Sequence, residues 1–260
     1  HRDLHSFPTR RSSDLRFPYK LYKNDLTWVP PLLDDQFSQF DEKRNPTLNH
    51  CEYALFLLEE NEKVIGRIAA FIDRLALETW KEPIGLFGYY ECISDTKASN
   101  ILLETAETWL RNKGMTKMRG PWSFISQEWG LVVEGFKPSP VVMAPYNPPY
   151  YINQITSFDL KKVKDLLVYY ISARDGYVIP NRILNLTDDV IKRYGIHVRQ
   201  LDMKNYEKDV QIVIELSNRS LAENWGYTSV TREEAEAIAR DLKQIIQPKG
   251  VIFAEDMRGK

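Results

Sequence analysis

Cysteine is scarce in this chain: of 260 residues only Cys51 and Cys92 carry a thiol. Two thiols, one of them in the middle of a strand-like run, make no disulfide framework, and they read as buried thiols of a cytoplasmic protein. Histidine is nearly as sparse, with four in all. His50 and His197 are isolated in the sequence, so no Cys/His group has metal-ligand spacing and no metal is expected. A long hydrophobic run is lacking too. Nothing approaches the roughly 18 apolar residues of a membrane span, and no secretory signal pattern is visible. Nor is one sign of charge in excess: 35 Lys and Arg against 36 Asp and Glu give a net charge of −1. That balance offers no electrostatic basis for binding nucleic acid or an anionic membrane, and neither is expected as a partner.

What is present is ample core material, 43% hydrophobic with 12% aromatic, enough for one large or two modest domains. Residues 1–15 stand apart. They read, residue for residue, as the translation of a universal short-read sequencing adapter, and are expected to lie outside the native fold. Removing their three arginines and two aspartates leaves 32 basic and 34 acidic residues. The chain is accordingly expected to be a piece of an assembled gene.

From Arg16 onward the pattern is mixed α/β. Phe17 to Lys23 is amphipathic and aromatic, and the prolines of Thr27 to Leu32 force extended backbone. Tyr53 to Leu58 and Val64 to Asp73 read as a hairpin. A third strand, Leu86 to Ile93, runs into a helix whose apolar stripe is Leu102, Leu103, Ala106, Trp109 and Leu110, stopped by Gly114. Thr116 to Phe124 is a strand broken at Gly120-Pro121, and Asn147-Pro148-Pro149-Tyr150-Tyr151 opens a brief helix ending near Phe158. Val163 to Ile171 is apolar enough for a strand buried on both faces. Arg174 to Tyr194 reads as a polar connector. Beyond it come a strand at Ile196 to Leu201, a helix at Tyr206 to Asn224, a capping box at Thr231 to Glu234, and a strand at Val251 to Glu255. The expected domains are 16–172, a connector 173–194, and a truncated second domain 195–260.

Gly66 to Asp73, Phe87 to Glu91, Gly120-Pro121, Asn147 to Tyr151, Asn224-Trp225-Gly226 and Asp241-Leu242-Lys243 together resemble a bacterial group of tandem GNAT-like acyltransferases, over Arg16 to Lys260. The resemblance implies a GNAT-like mixed central sheet flanked by helices, followed by the start of a second such domain. It implies acyl-CoA-dependent N-acyltransfer to a small-molecule amine, with acetyl-CoA or another acyl-CoA as donor. The family's Gln/Arg-x-x-Gly-x-Gly/Ala pyrophosphate loop falls on Ser94, Asp95, Thr96, Lys97, Ala98 and Ser99, which hold no glycine. Glycines let backbone amides approach phosphate closely, whereas Lys97 obstructs them and offers only its charge. By the same resemblance a better loop belongs to the second domain, past Lys260, so the missing C-terminal half is itself an expected partner. A non-catalytic GNAT-like binding module and a Fem-type aminoacyl transferase remain alternatives.

The family's proton-donating tyrosine would fall on Asn153, five residues before Phe158, with Ser157 in place of a glycine. Tyr150 and Tyr151, on the same helix, are the candidate donors, or else they simply pack against the sheet. Glu91 is the candidate base: a carboxylate among aromatics, on one strand face with Tyr89 and Ile93, should have a raised pKa suited to deprotonating an amine. The alternative is a carboxylate satisfied by Arg67 or Arg119. Trp122 and Asn147 are candidate substrate contacts, with Trp28, Trp122 and the two tyrosines expected to line one aromatic cleft beside Gly120-Pro121.

Overall fold

A computed structural model describes residues 2–7, 15–124, 130–137, 139–141, 144–172, 174, 176–243 and 245–257. One unit comprises His1–Lys161 with Asn218–Ala237, the other Lys162–Ser217 with Ile238–Lys260.

The first unit is built on a mixed sheet in the order β1 Arg2–Phe7, β2 Cys51–Glu60, β3 Lys63–Asp73, β4 Ile84–Cys92, β5 Lys117–Arg119. The first four strands are antiparallel and β5 lies parallel to β4. With helices packed on it, this is the mixed α/β class expected from the sequence. The β2–β3 turn narrows to Asn61 and Glu62, both at positive φ (51° and 63°), the backbone that a two-residue hairpin loop of the right twist demands. Helix α1 is Phe17–Leu21, α2 Leu33–Ser38, α3 Arg74–Trp80, α4 Thr96–Asn112 and α5 Tyr150–Ser157. The α4 stripe faces the sheet, with Leu102, Leu103, Ala106 and Leu110 buried. Gly85 lets it close down, since a Cβ there would meet Leu110 Cδ2 at 2.3 Å. Phe87, Tyr90, Cys92 and Tyr151 complete that layer. Phe40, Phe71, Leu86, Trp122 and Phe124 belong to a second core cluster, together with Leu15, Leu48 and Ile84.

Strand β4 carries a β-bulge. Arg67 pairs with Glu91 but Ala69 pairs with Gly88, so two β4 residues oppose one on β3, and Tyr89 sits at φ 48°. A bulge breaks strict alternation. The expected shared face of Tyr89, Glu91 and Ile93 is therefore corrected: Tyr89 packs on Phe40 and Phe124, while Ile93 packs on the α4 side. The β4–β5 ladder stops at Leu86 and Arg119, as the Gly120-Pro121 break implies. The chain then crosses β4 closely: Trp122 N donates to Phe87 O at 2.8 Å, and a Cβ on Gly88 would lie 1.6 Å from Trp122 O.

Residues Arg2–Phe7, expected to lie outside the fold, form the edge strand beside β2. An open strand edge accepts any extended segment, so the pairing does not speak to the segment's origin.

The second unit holds α6 Asn181–Tyr194, β6 His197–Gln200 and β7 Ile252–Glu255, the two strands antiparallel. α7 Tyr206–Ser220 and α8 Arg232–Leu242 have parts in both units. Leu201, Tyr206 and Phe253 form a small core, beside which Arg199 makes a bidentate pair with Asp209 (2.8 and 2.8 Å). The Thr231 capping box is present, with Thr231 N donating to Glu234 Oε2 at 2.7 Å and Glu234 N to Thr231 Oγ1 at 3.2 Å. One expectation fails. Val163 to Ile171 is irregular and solvent-exposed, Val168 at 91% and Tyr170 at 87%. Among the described residues no strand pairs with it, and apolar content alone does not satisfy strand backbone. No helix among the described residues is long and apolar enough to cross a membrane.

Candidate functional site

Among the described residues no strand pairs with the outer edge of β4 beyond Leu86, and past Phe87 side chains take over. Tyr151 Oη accepts from Cys92 N at 2.8 Å, and Tyr150 Oη donates to Cys92 O at 2.9 Å. Both tyrosines open α5, after Asn147-Pro148-Pro149. Tyr151 Oη also donates to Glu91 Oε2 at 2.9 Å. The same carboxylate oxygen accepts from Tyr22 Oη, at the end of α1, and the two phenolic oxygens lie 3.0 Å apart. Arg67 Nη2 is 3.7 Å from the other carboxylate oxygen, and the Glu91 side chain keeps 17% exposure. Aromatic rings wall this group in: Tyr22 packs on Trp28 and Tyr146, and Tyr151 on Tyr90.

Burial pushes the Glu91 carboxyl above the usual carboxylate range, against the opposing pull of Arg67 and the two hydroxyls. Burial and the neighbouring carboxylate push Tyr22 and Tyr151 well above the ordinary phenol value, and burial raises Tyr150 too. The hydroxyls thus stay protonated donors, while the carboxylate can exchange a proton nearer neutral pH.

The structure brings Glu91, Tyr150 and Tyr151 together, and adds Tyr22, whose only sequence signal was its aromatic segment. Trp28 joins the group through Tyr22. Trp122 does not: it packs with Trp80 and Trp225 in the other core cluster, so the expected single aromatic cleft divides in two. Asn147 is buried and spends its amide internally, on Val132 N, Val132 O and Pro148 O. Arg119, the alternative partner for Glu91, instead lies over the rings of Trp80 and Trp225.

The turn from Ser94 to Ser99 caps its own helix. The Asp95 carboxylate accepts from Lys97 N at 2.8 Å and Ala98 N at 3.0 Å, and pairs with Arg2 Nη2 at 2.6 Å. Ser99 is buried, with its Oγ accepting from Tyr90 Oη at 2.7 Å. Ser94, Thr96 and Lys97 are exposed. The amides that would hold a pyrophosphate are occupied by an internal carboxylate of the same charge, so these residues do not fit that group.

A second polar cluster lies where β2 begins and β3 ends. His50 Nδ1 is 2.9 Å from Asp73 Oδ1 and its Nε2 3.1 Å from Glu234 Oε1. Cys51 Sγ is 3.9 Å from His50 Nδ1. Hydrogen bonds to its neighbours, Asp73 foremost, push His50 up to about 12, and burial pushes the Cys51 thiol up to about 11. Glu234 is held down to about 2 by its hydrogen bonds from His50, Thr47 and the Thr231 amide, against desolvation. The sequence reading of His50 as isolated is thereby corrected. A pocket opens on this cluster, lined also by Trp122, Ser123, Thr228 and Ser229.

Compared with known proteins, the chain is 32% identical over 262 residues to the bacterial ceramide synthase of Caulobacter vibrioides, aligning 97% of this chain with 67% of that protein. It is 31% identical over 242 residues to protein YghO of Escherichia coli, aligning 93% of this chain with 61% of that one. The chain thus spans about two thirds of the first relative's length and less of the second's. No protein-family model matches the chain. Among solved structures, an aminoglycoside acetyltransferase, meta-AAC0020, from an uncultured soil metagenomic sample covers 66% of this chain and 95% of its own at 9% identity and a TM-score of 0.38. A Pyrococcus furiosus protein described as a "putative acetyl transferase" covers 66% of this chain and 100% of its own at 11% identity and a TM-score of 0.39. Overlaps of that size carry no functional reading.

Proposed function

We propose, from the premise that the chain belongs to the family of the bacterial ceramide synthase, that it serves N-acyl transfer to the amine of a long-chain amino lipid, with Glu91 as proton acceptor. The observation that carries this reading is the Glu91 carboxylate itself, held by Tyr22 and Tyr151 on β4 beyond the end of the β5 ladder, with its side chain still 17% exposed. An alkylammonium is no nucleophile until it loses a proton. Ionised Glu91 takes that proton, and the freed amine nitrogen attacks the carbonyl carbon of an activated acyl donor, forming the C–N bond. As the donor's leaving group departs, the second amine proton passes to it, and Tyr151 offers a hydroxyl that can relay it. The proton on Glu91 returns to water.

Because Asp95 occupies the amides at the start of α4, no step is assigned there to coenzyme A. That capping favours a division of labour in which this unit binds the acceptor amine and the donor is held by other parts of the protein.

In a protein carrying this chain in full, Glu91→Gln is expected to lower N-acyl transfer to a long-chain base by about 10²–10⁴-fold. The wild-type kcat/KM should rise with pH through a pKa above the ordinary carboxylate value, because only the ionised form accepts a proton, and the variant should lose that limb. Linkage runs the other way. A raised carboxylate pKa makes the folded state hold its proton longer than the unfolded chain, so stability falls as pH climbs from the ordinary value to the raised one. Glu91→Gln should flatten that fall in unfolding measured across pH. Wild-type turnover in the variant would remove Glu91 from the chemistry.

A further inference from the structure

The His50 cluster has no part in the chemistry assigned to Glu91, and its composition points elsewhere. We propose that His50 Nδ1, Cys51 Sγ and an Asp73 carboxylate oxygen form a three-ligand site for a late divalent transition metal of the zinc type, with Glu234 orienting His50. Their ligand atoms lie within 4.8 Å of one another. Around a tetrahedral zinc such atoms would be roughly 3.5 Å apart, given metal–ligand distances near 2.0–2.3 Å. The observed His50–Asp73 and His50–Cys51 separations, 2.9 and 3.9 Å, bracket that value, and the Cys51–Asp73 pair, within 4.8 Å, needs to close by at most about 1.3 Å to reach the roughly 3.5 Å of a tetrahedral site.

Three further features favour a metal over a chance meeting of polar groups. Asp73 is already fixed, because its Oδ1 caps α3 by accepting from Leu75 N at 2.9 Å and Ala76 N at 3.2 Å. Glu234 sits on the far nitrogen of His50, the place where a carboxylate accepting Nε2–H sets the tautomer that leaves Nδ1 as the metal-facing lone pair. Glu234 is in turn held by Thr47 Oγ1 at 2.6 Å and by the Thr231 amide. Finally, a pocket lined by Ser123, Thr228 and Ser229 opens on the three donors, leaving a fourth position for water or a substrate oxygen. A thiolate with an imidazole and a carboxylate suits zinc, cobalt or nickel better than magnesium or calcium. Binding displaces the Nδ1 proton of His50 and the thiol proton of Cys51 into solvent, so the bound site holds a neutral imidazole and a thiolate.

Cobalt(II) titrated into the chain reports on this directly, since thiolate ligation gives a near-ultraviolet charge-transfer band and tetrahedral geometry gives strong visible bands. One equivalent should produce both, and zinc should displace them. Cys51→Ser should abolish the charge-transfer band, and Cys92→Ser should leave it. Glu234→Gln should keep the spectrum but weaken affinity by about 10–100-fold, with circular dichroism establishing that each variant is folded. A folded wild-type chain that gives no thiolate band, or a band that survives Cys51→Ser, would overturn the site and leave His50 as an imidazolium clamped between two carboxylates.

Discussion

Tyr151 places one oxygen between a backbone donor and a carboxylate: it accepts from Cys92 N and donates to Glu91. Removing it strands a buried amide and takes one of two hydroxyls from Glu91. Tyr151→Phe is therefore expected to cost about 1–3 kcal/mol, the range for a buried group left unsatisfied. Tyr150→Phe removes a donor from a carbonyl and should cost about 0.5–1.5 kcal/mol. Urea unfolding of the two variants checks the order, and an equal cost would show that Cys92 N finds another partner. At this scale the sequence was informative only where a residue clashes with its neighbours. Glu91 stood out as a carboxylate in an aromatic strand, and Tyr150 and Tyr151 as a pair at a helix start. Tyr22 did not, because it meets Glu91 across 69 residues. His50 looked isolated because Asp73 and Glu234 are 23 and 184 residues away, and no local spacing encodes such a meeting.

At the scale of elements, α4 shows how a helix start can forgo an anion site. Asp95 accepts from two amides of the first turn and also pairs with Arg2, and the two roles can be separated. Asp95→Ala loses both and should cost about 0.5–2 kcal/mol, the usual price of a lost N-cap. Asp95→Asn keeps a good cap without the charge and should recover most of that, since a half-exposed ion pair contributes about 0–1 kcal/mol. Thermal unfolding of both variants decides it: equal losses would mean that the Arg2 pair, not the cap, holds the turn. Elements with an internal signature were legible, as with the apolar stripe of α4 and the capping box of α8. The β4 bulge was not, because a strand buried on both faces along most of its length shows no period-two alternation for an inserted residue to interrupt. Val163 to Ile171 misled for a related reason. Its apolar density suits a strand, but a strand exists only beside another, and that partner is not written in the segment.

For the molecule as a whole, the telling feature is the return of the chain to its first unit. It leaves after Lys161 and comes back as Asn218–Ala237, a route that composition did not reveal, since the returning stretch reads as an ordinary helix–turn–helix. The returning segment is held by several bonds: Glu234 accepts from Thr47 Oγ1 at 2.6 Å and pairs with His50 at 3.1 Å, and Trp80 Nε1 donates to Tyr227 O at 3.2 Å. The Arg119 guanidinium lies 4.8 Å from the centre of the Trp225 ring. Lys161, Lys162 and Lys164 lie on exposed, irregular backbone, the kind of segment that proteases cut first. Brief trypsin treatment should nick the chain there, and the nicked protein should still elute as one species, because its C-terminal piece carries Asn218–Ala237 and its bonds to the N-terminal piece. The pieces should part only in denaturant. If they separate in buffer alone, the returning segment contributes too little to hold the first unit together. Repeating the experiment with Glu234→Ala tests the cause, since losing the bonds from Thr47 and His50 should lower the denaturant concentration at which the nicked pieces separate.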